Sequence, residues 1–105
     1  MVPIITKDQM DSLRNYRSVQ IWLRGKKLRT KYNYLRFLTR LTLQIEDSPD
    51  GLLKLVRTNP RTLPDLIKDF SAEYSGSQAV NCRIAIRGFF ASNGLSLPKS
   101  KNEAS

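Results

Sequence analysis

From Tyr34 to Ile45 the apolar side chains return every three or four residues, at Tyr34, Phe37, Leu38, Leu41 and Ile45. At 100° per residue these positions share one arc with Leu35, which is the stripe of an amphipathic helix. The same spacing recurs at Leu63, Leu66, Ile67, Phe70 and Tyr74. It returns at Cys82, Ile86, Phe89 and Phe90, with Ala79 and Asn93 on the same arc. No segment alternates with period two. Such stripes are buried only by packing helix on helix, so the predicted fold class is all-α, a compact bundle of four to five helices. The length of 105 residues suits one domain, and 40% hydrophobic content supports a core.

Start and stop signals divide the chain. Thr6 and Gln9 have the spacing of a capping box ahead of the apolar pair Met10 and Leu13, which predicts a leading helical turn. Ser18 is the expected start of a short helix over 18–24, anchored by Trp22, with Gly25 as its left-handed stop. Thr30 is the expected opening of the next helix, which runs to Leu43 or Gln44. Ser48-Pro49-Asp50 combines a capping serine, a first-turn proline and an acid at the positive dipole end; that helix ends near Thr58 and Asn59, before Pro60. Thr62-Leu63-Pro64-Asp65 starts another. After the turn Ser75-Gly76-Ser77 a last helix spans about 78–92. Val80 and Ile84 widen its apolar surface, which predicts that it is the central helix. Asn93-Gly94 stops it, and Leu95 and Leu97 are expected to fold back. The implied organisation is an arm over 1–17, a domain over 18–97 and a polar flexible tail or linker start over 98–105.

The charge balance is 18 Lys+Arg against 9 Asp+Glu, a formal net charge of +9 with a pI of about 10.1, in the range of nucleic-acid-binding domains. The cations concentrate before and along one helix. Arg24, Lys26, Lys27, Arg29 and Lys31 lead in, and Arg36 and Arg40 follow on the arc opposite its apolar stripe, with Asn33 between them and Tyr32 flanking. Thr30 and Asn33 are polar residues able to meet phosphates or base edges. On the last helix Arg83 and Arg87 share one flank, while Asn81 lies on the other, near Ser77. Binding of basic amphipathic helices to membranes is the competing use, but here the apolar faces are needed for the core.

Groups for catalysis are sparse. Histidine is absent, which removes the commonest general base and zinc ligand. The one cysteine, Cys82, falls on an apolar arc and reads as a buried small hydrophobe. The glycines are scattered singly, with no phosphate loop. Asp65, Asp69 and Glu73 recur every four residues and read as a solvated face. No metal site and no cofactor are expected. No apolar run approaches the ~20 residues of a membrane span, and the start MVPIITKDQM lacks the pattern of a secretory signal. The expected setting is cytoplasmic, associated with the nucleoid.

In order along the chain, Arg29-Thr30-x-x-Asn33-Tyr34, Leu38, Ser48-Pro49, Leu66, Phe70, Ile86-Arg87-Gly88-Phe89-Phe90 and Asn93-Gly94-Leu95 resemble the core-binding domain of tyrosine recombinases, the phage integrases and Xer-type recombinases with their archaeal members. The segment 18–23, with Trp22-Leu23, is similar to that domain's first helix. The resemblance implies a SAM-like helical bundle that forms half of a clamp on double-stranded DNA at the recombination core site. Its second and last helices supply many of the contacts. It thereby places Arg29, Thr30 and Asn33 at the DNA, together with Ser77, Gln78 and Asn81. Family members often carry a basic residue near the neutral Asn81. Catalysis in the family belongs to a second domain with arginines, a lysine, histidines and a tyrosine nucleophile. The expectation is therefore a binding module that cannot itself cleave DNA, with other recombinase protomers as partners on the same DNA. The other expectation kept open is a SAM-like protein-interaction module with an acidic partner.

Overall fold

A computed structural model describes residues 5–95. Among them there are six helices and no strand: α1 Lys7–Leu13, α2 Arg17–Leu23, α3 Leu28–Ile45, α4 Pro49–Thr58, α5 Thr62–Ser71 and α6 Gly76–Ser92. The all-α class holds, with one helix more than the expected upper number. The additional element is the leading turn, which closes into a full helix. The Thr6 hydroxyl accepts from the Gln9 amide at 3.2 Å, and the Gln9 side chain accepts from the Thr6 amide at 2.8 Å. Met10 and Leu13 are buried and α1 packs on α3, so the expected arm joins the bundle from Ile5 onward.

The two long helices α3 and α6 pack on each other. On their outer sides α3 takes α1 and α4, and α6 takes α2 and α5; α2 also meets α4. Leu35, Phe37, Leu38 and Leu41 from α3 meet Cys82, Ala85, Ile86, Phe89 and Phe90 from α6 in one core. Trp22 is 1% exposed at the centre. It stacks on Tyr34 at 5.5 Å and meets the edge of Phe89 at 5.3 Å, an arrangement favoured by the ring quadrupoles beyond plain area burial. Gly88 lets α6 come this close. A Cβ there would stand 3.4 Å from the indole nitrogen of Trp22.

Several starts differ from expectation. Ser18 does not cap α2. The helix begins at Arg17 with Tyr16 as a cap that makes no side-chain bond, and Ser18 is buried, its hydroxyl 3.1 Å from Asp50 Oδ1. Asn93 Nδ2 donates to the Ser18 carbonyl at 3.1 Å and to the Phe89 carbonyl at 2.8 Å. A local start signal has thus been used for long-range ties from α2 to α4 and α6. Thr30 does not open α3; Lys27 is its cap and Thr30 lies in the first turn. Arg24 (φ −58°, ψ 131°) and Gly25 (φ 80°), with the Lys26 amide on the Leu23 carbonyl at 3.2 Å, form a type II turn that leaves Lys27 already extended. The helix can then begin without a side-chain acceptor. For α6 the start moves from the expected 78 to Gly76, and Ser75 as cap makes no side-chain bond.

The last helix is central as expected, packed on α2, α3 and α5, but not by way of Val80 and Ile84. Val80 is 46% and Ile84 54% exposed, because the neighbours of α6 cover its Cys82–Ile86–Phe89 side and not this one. Ser48 and Pro49 act as expected, with the Ser48 hydroxyl accepting from the Gly51 amide at 3.0 Å. At the end of α6, Leu95 and Gly94 amides return to the Phe90 and Ala91 carbonyls at 2.9 and 3.1 Å, a Schellman motif around Gly94. The expected fold-back of Leu97 and the tail 98–105 lie outside the described residues.

Candidate functional site

The helix starts fall into two chemical groups. α1 and α4 have side-chain caps and an acid in the first turn, and α5 has Asp65 in its first turn. α2, α3 and α6 have neither a side-chain cap nor an acid there. A helix N-terminus behaves as a partial positive charge with free amide donors. At α3 that charge is reinforced by Lys27, Arg29 and Lys31, which is repulsive until an anion arrives. Of these three, α3 and α6 are the helices on which the sequence placed most of its candidate contacts.

Between α3 and α6 lies an open cleft of about 280 Å³ lined by Thr30, Asn33, Tyr34, Arg36, Phe37, Arg40, Gln78 and Asn81. Six of the expected contact residues, from segments nearly fifty positions apart, therefore share one wall-and-floor arrangement. Thr30 comes from the first turn of α3 and Gln78 from the first turn of α6. Tyr34 and Phe37 form the apolar floor, backed by Trp22 and by the Tyr74 ring 5.2 Å from Phe37.

Arg36 and Arg40 are half-buried rather than fully outward. Each guanidinium lies over a tyrosine: Arg36 is 5.8 Å from the Tyr32 ring and Arg40 is 6.0 Å from the Tyr74 ring. Arg40 Nη1 also donates to Tyr74 Oη at 3.0 Å, while its Nε is shut off from solvent without a hydrogen-bond partner. Cation–π contact and the phenol hold these charges at fixed places. Asn33, Gln78 and Asn81 are exposed, so their amides project free ends at the cleft.

The other candidates are distributed around this cleft. Lys27, the cap of α3, and Arg29, in its first turn, are exposed. The type II turn sends Lys26 and Arg24 to different places. Lys26 Nζ lies 5.8 Å from the Tyr34 ring. Arg24 joins Lys31 in a second pocket with Arg14, Val19, Gln20 and Leu23. Ser77 is exposed at the start of α6; Arg83, half-buried, and Arg87, exposed, stand 200° and 240° around the helix from Asn81 at 100° per residue and do not line the cleft. Sequence reasoning missed Arg14, Gln20 and Tyr74. Arg14 reaches the second pocket because α1 folds onto the bundle, and Gln20 lines it from α2. Tyr74 reaches Arg40 from the turn after α5.

Cys82 is 1% exposed, and burial pushes its thiol up to about 12, with the Arg83 charge acting weakly the other way. Such a thiol is neutral at any ordinary pH and is no nucleophile. Among the described residues no group of three or more His, Cys, Asp or Glu could hold a metal ion, and no helix is long and apolar enough to cross a membrane. Comparison with protein-family models, with curated proteins and with solved structures finds no match. The class established is an all-α bundle with a cationic, amide-lined cleft between its two longest helices.

Proposed function

We propose that the chain binds double-stranded DNA, in a sequence-specific manner, as the core-site-binding domain of a tyrosine recombinase or integrase, with the strand-exchange chemistry supplied by a separate catalytic domain. The observation that carries this reading is the convergence of Thr30, Asn33, Arg36, Arg40, Gln78 and Asn81 on one cleft beside a cation-rich, uncapped helix start. In this reading Lys27, Arg29 and the first amides of α3 meet backbone phosphates, which fix register. Asn33, Gln78 and Asn81 present amides, the side-chain type that pairs with adenine edges, and Arg36 presents the fork that pairs with guanine.

Titration with a duplex at several salt concentrations tests this. If about five phosphates are neutralised, log affinity falls against log salt with a slope near −4.5. Arg29→Ala and Lys31→Ala each reduce the slope by about one. Salt-insensitive binding, or none, removes the reading. The bare Val80 and Ile84 on α6, flanked by Arg83 and Arg87, favour the second reading, a SAM-like module with an acidic protein partner. That reading predicts no change in amide spectra when duplex is added.

A further inference from the structure

The second pocket lies on the other side of the first turns of α3. Thr30 and Lys31 are adjacent in sequence and 100° apart on the helix, so Thr30 lines the α3–α6 cleft while Lys31 lines a pocket of about 280 Å³ with Arg14, Val19, Gln20, Leu23 and Arg24. Its three cations come from three separate elements. Arg14 is the residue that ends α1, Arg24 belongs to the type II turn and Lys31 is on α3. Local structure fixes the backbone that carries Arg14 and Arg24. Gln20 Nε2 donates to the Arg14 carbonyl at 2.9 Å and holds the end of α1 against α2. Gly25 at φ 80° completes the type II turn that carries Arg24, which lines the same pocket. Val19 and Leu23, 0% and 6% exposed, supply an apolar wall, which strengthens any charge attraction across it. Asp11 faces Arg14, its Oδ1 3.4 Å from Arg14 Nε with both side chains about half exposed. Among the described residues the pocket's three cations thus outnumber the exposed carboxylate that pairs with one of them.

We infer that the pocket ringed by Arg14, Arg24 and Lys31 is a phosphate subsite, and that α3 is a partition between two anion-accepting surfaces. An extended polyanion can reach both sides of this partition, whereas a single small anion occupies one. The source that fits both surfaces is the DNA backbone, so this inference rests on the DNA reading for its ligand's source, though not for its chemistry. Arg14 then becomes a DNA contact outside the segment whose sequence resembles the recombinase domain.

The test uses the whole chain and watches the Arg Nε–Hε signals by NMR, with two probes: inorganic phosphate against chloride at matched ionic strength, and duplex DNA. Saturable shifts of the Arg14 and Arg24 signals with phosphate but not chloride are expected, and shifts of the same signals with duplex. Arg14→Ala is expected to lower the DNA salt slope by about 0.9, and Asp11→Ala, which frees Arg14, to tighten binding about twofold to fivefold. Circular dichroism of both variants checks that the fold is kept. If duplex binds with the full salt slope in Arg14→Ala and the Arg14 signal stays still, the inference is overturned while the DNA reading stands. If duplex does not bind at all, the DNA reading falls, and the phosphate titration decides the subsite: saturable shifts leave it as a site for free phosphate, and their absence overturns it.

Discussion

At the scale of single residues, burial and fixed geometry set what each side chain can do. Cys82 offers a direct check. With its thiol held near 12 instead of the ordinary 9.0, the thiolate fraction at pH 8 drops by roughly a thousandfold. Ellman's reagent at pH 8 should therefore react only through unfolding, and denaturant should release the full reaction. The sign for stability follows from the same shift. Below pH 9 both states hold the proton; between about 9 and 12 the unfolded chain loses it first, so stability from this thiol declines as pH rises. Tyr74→Phe removes the acceptor for Arg40 Nη1 while keeping the ring beneath the guanidinium. Since Arg40 is partly solvated, a loss of about 1 kcal/mol is expected, measured by urea unfolding. The same variant should loosen the placement of Arg40 at the cleft.

At the scale of elements, helix ends divide into those that serve stability and those left open. The Thr6–Gln9 capping box closes α1. Thr6→Ala should cost about 1 kcal/mol, and by releasing α1 it should also disturb Arg14. The end of α3 is closed by Glu46 in the left-handed region at φ 56°, with the Asp47 amide on the Thr42 carbonyl at 3.1 Å. A side chain there is strained, so Glu46→Gly should stabilise the fold by about 0.5–1 kcal/mol, read as a higher urea midpoint at constant slope. In α3, Thr39 and Thr42 are buried and satisfy their hydroxyls on the Leu35 and Thr39 carbonyls at 2.7 and 2.9 Å. These bonds let threonine sit on a packed face without an orphaned donor. The starts of α2, α3 and α6 have no side-chain acceptor of this kind.

At the scale of the whole molecule, a net charge of +9 on a small bundle means self-repulsion. Raising salt from about 10 to 150 mM shortens the screening length from roughly 30 to 8 Å. Thermal stability of the free protein should increase across this range, while affinity for duplex falls. The two trends run in opposite directions and are separable by calorimetry without and with DNA. Coverage of the core follows the same division. α6 touches α2, α3 and α5, yet Val80 and Ile84 stay bare, because four short helices around two long ones do not enclose every side of either.

Much of the architecture follows from the sequence alone. Apolar recurrence at three and four residues requires helices, and the Thr6–Gln9, Ser48-Pro49 and Asn93-Gly94 signals act where they stand, because capping is local chemistry among residues a few positions apart. The concentration of cations before α3 is equally a property of the chain. Tertiary structure decided the rest. Ser18, a plausible cap, is spent on Asp50 across 32 positions. Arg40 lies over Tyr74, which comes from the turn after α5, instead of standing outward. Above all, the meeting of Thr30 and Asn33 with Gln78 and Asn81, and of Arg14 with Arg24 and Lys31, depends on how helices pack. Periodicity fixes which face of a helix is buried, but not which neighbour covers it, and that neighbour determines which polar residues come together at the rim.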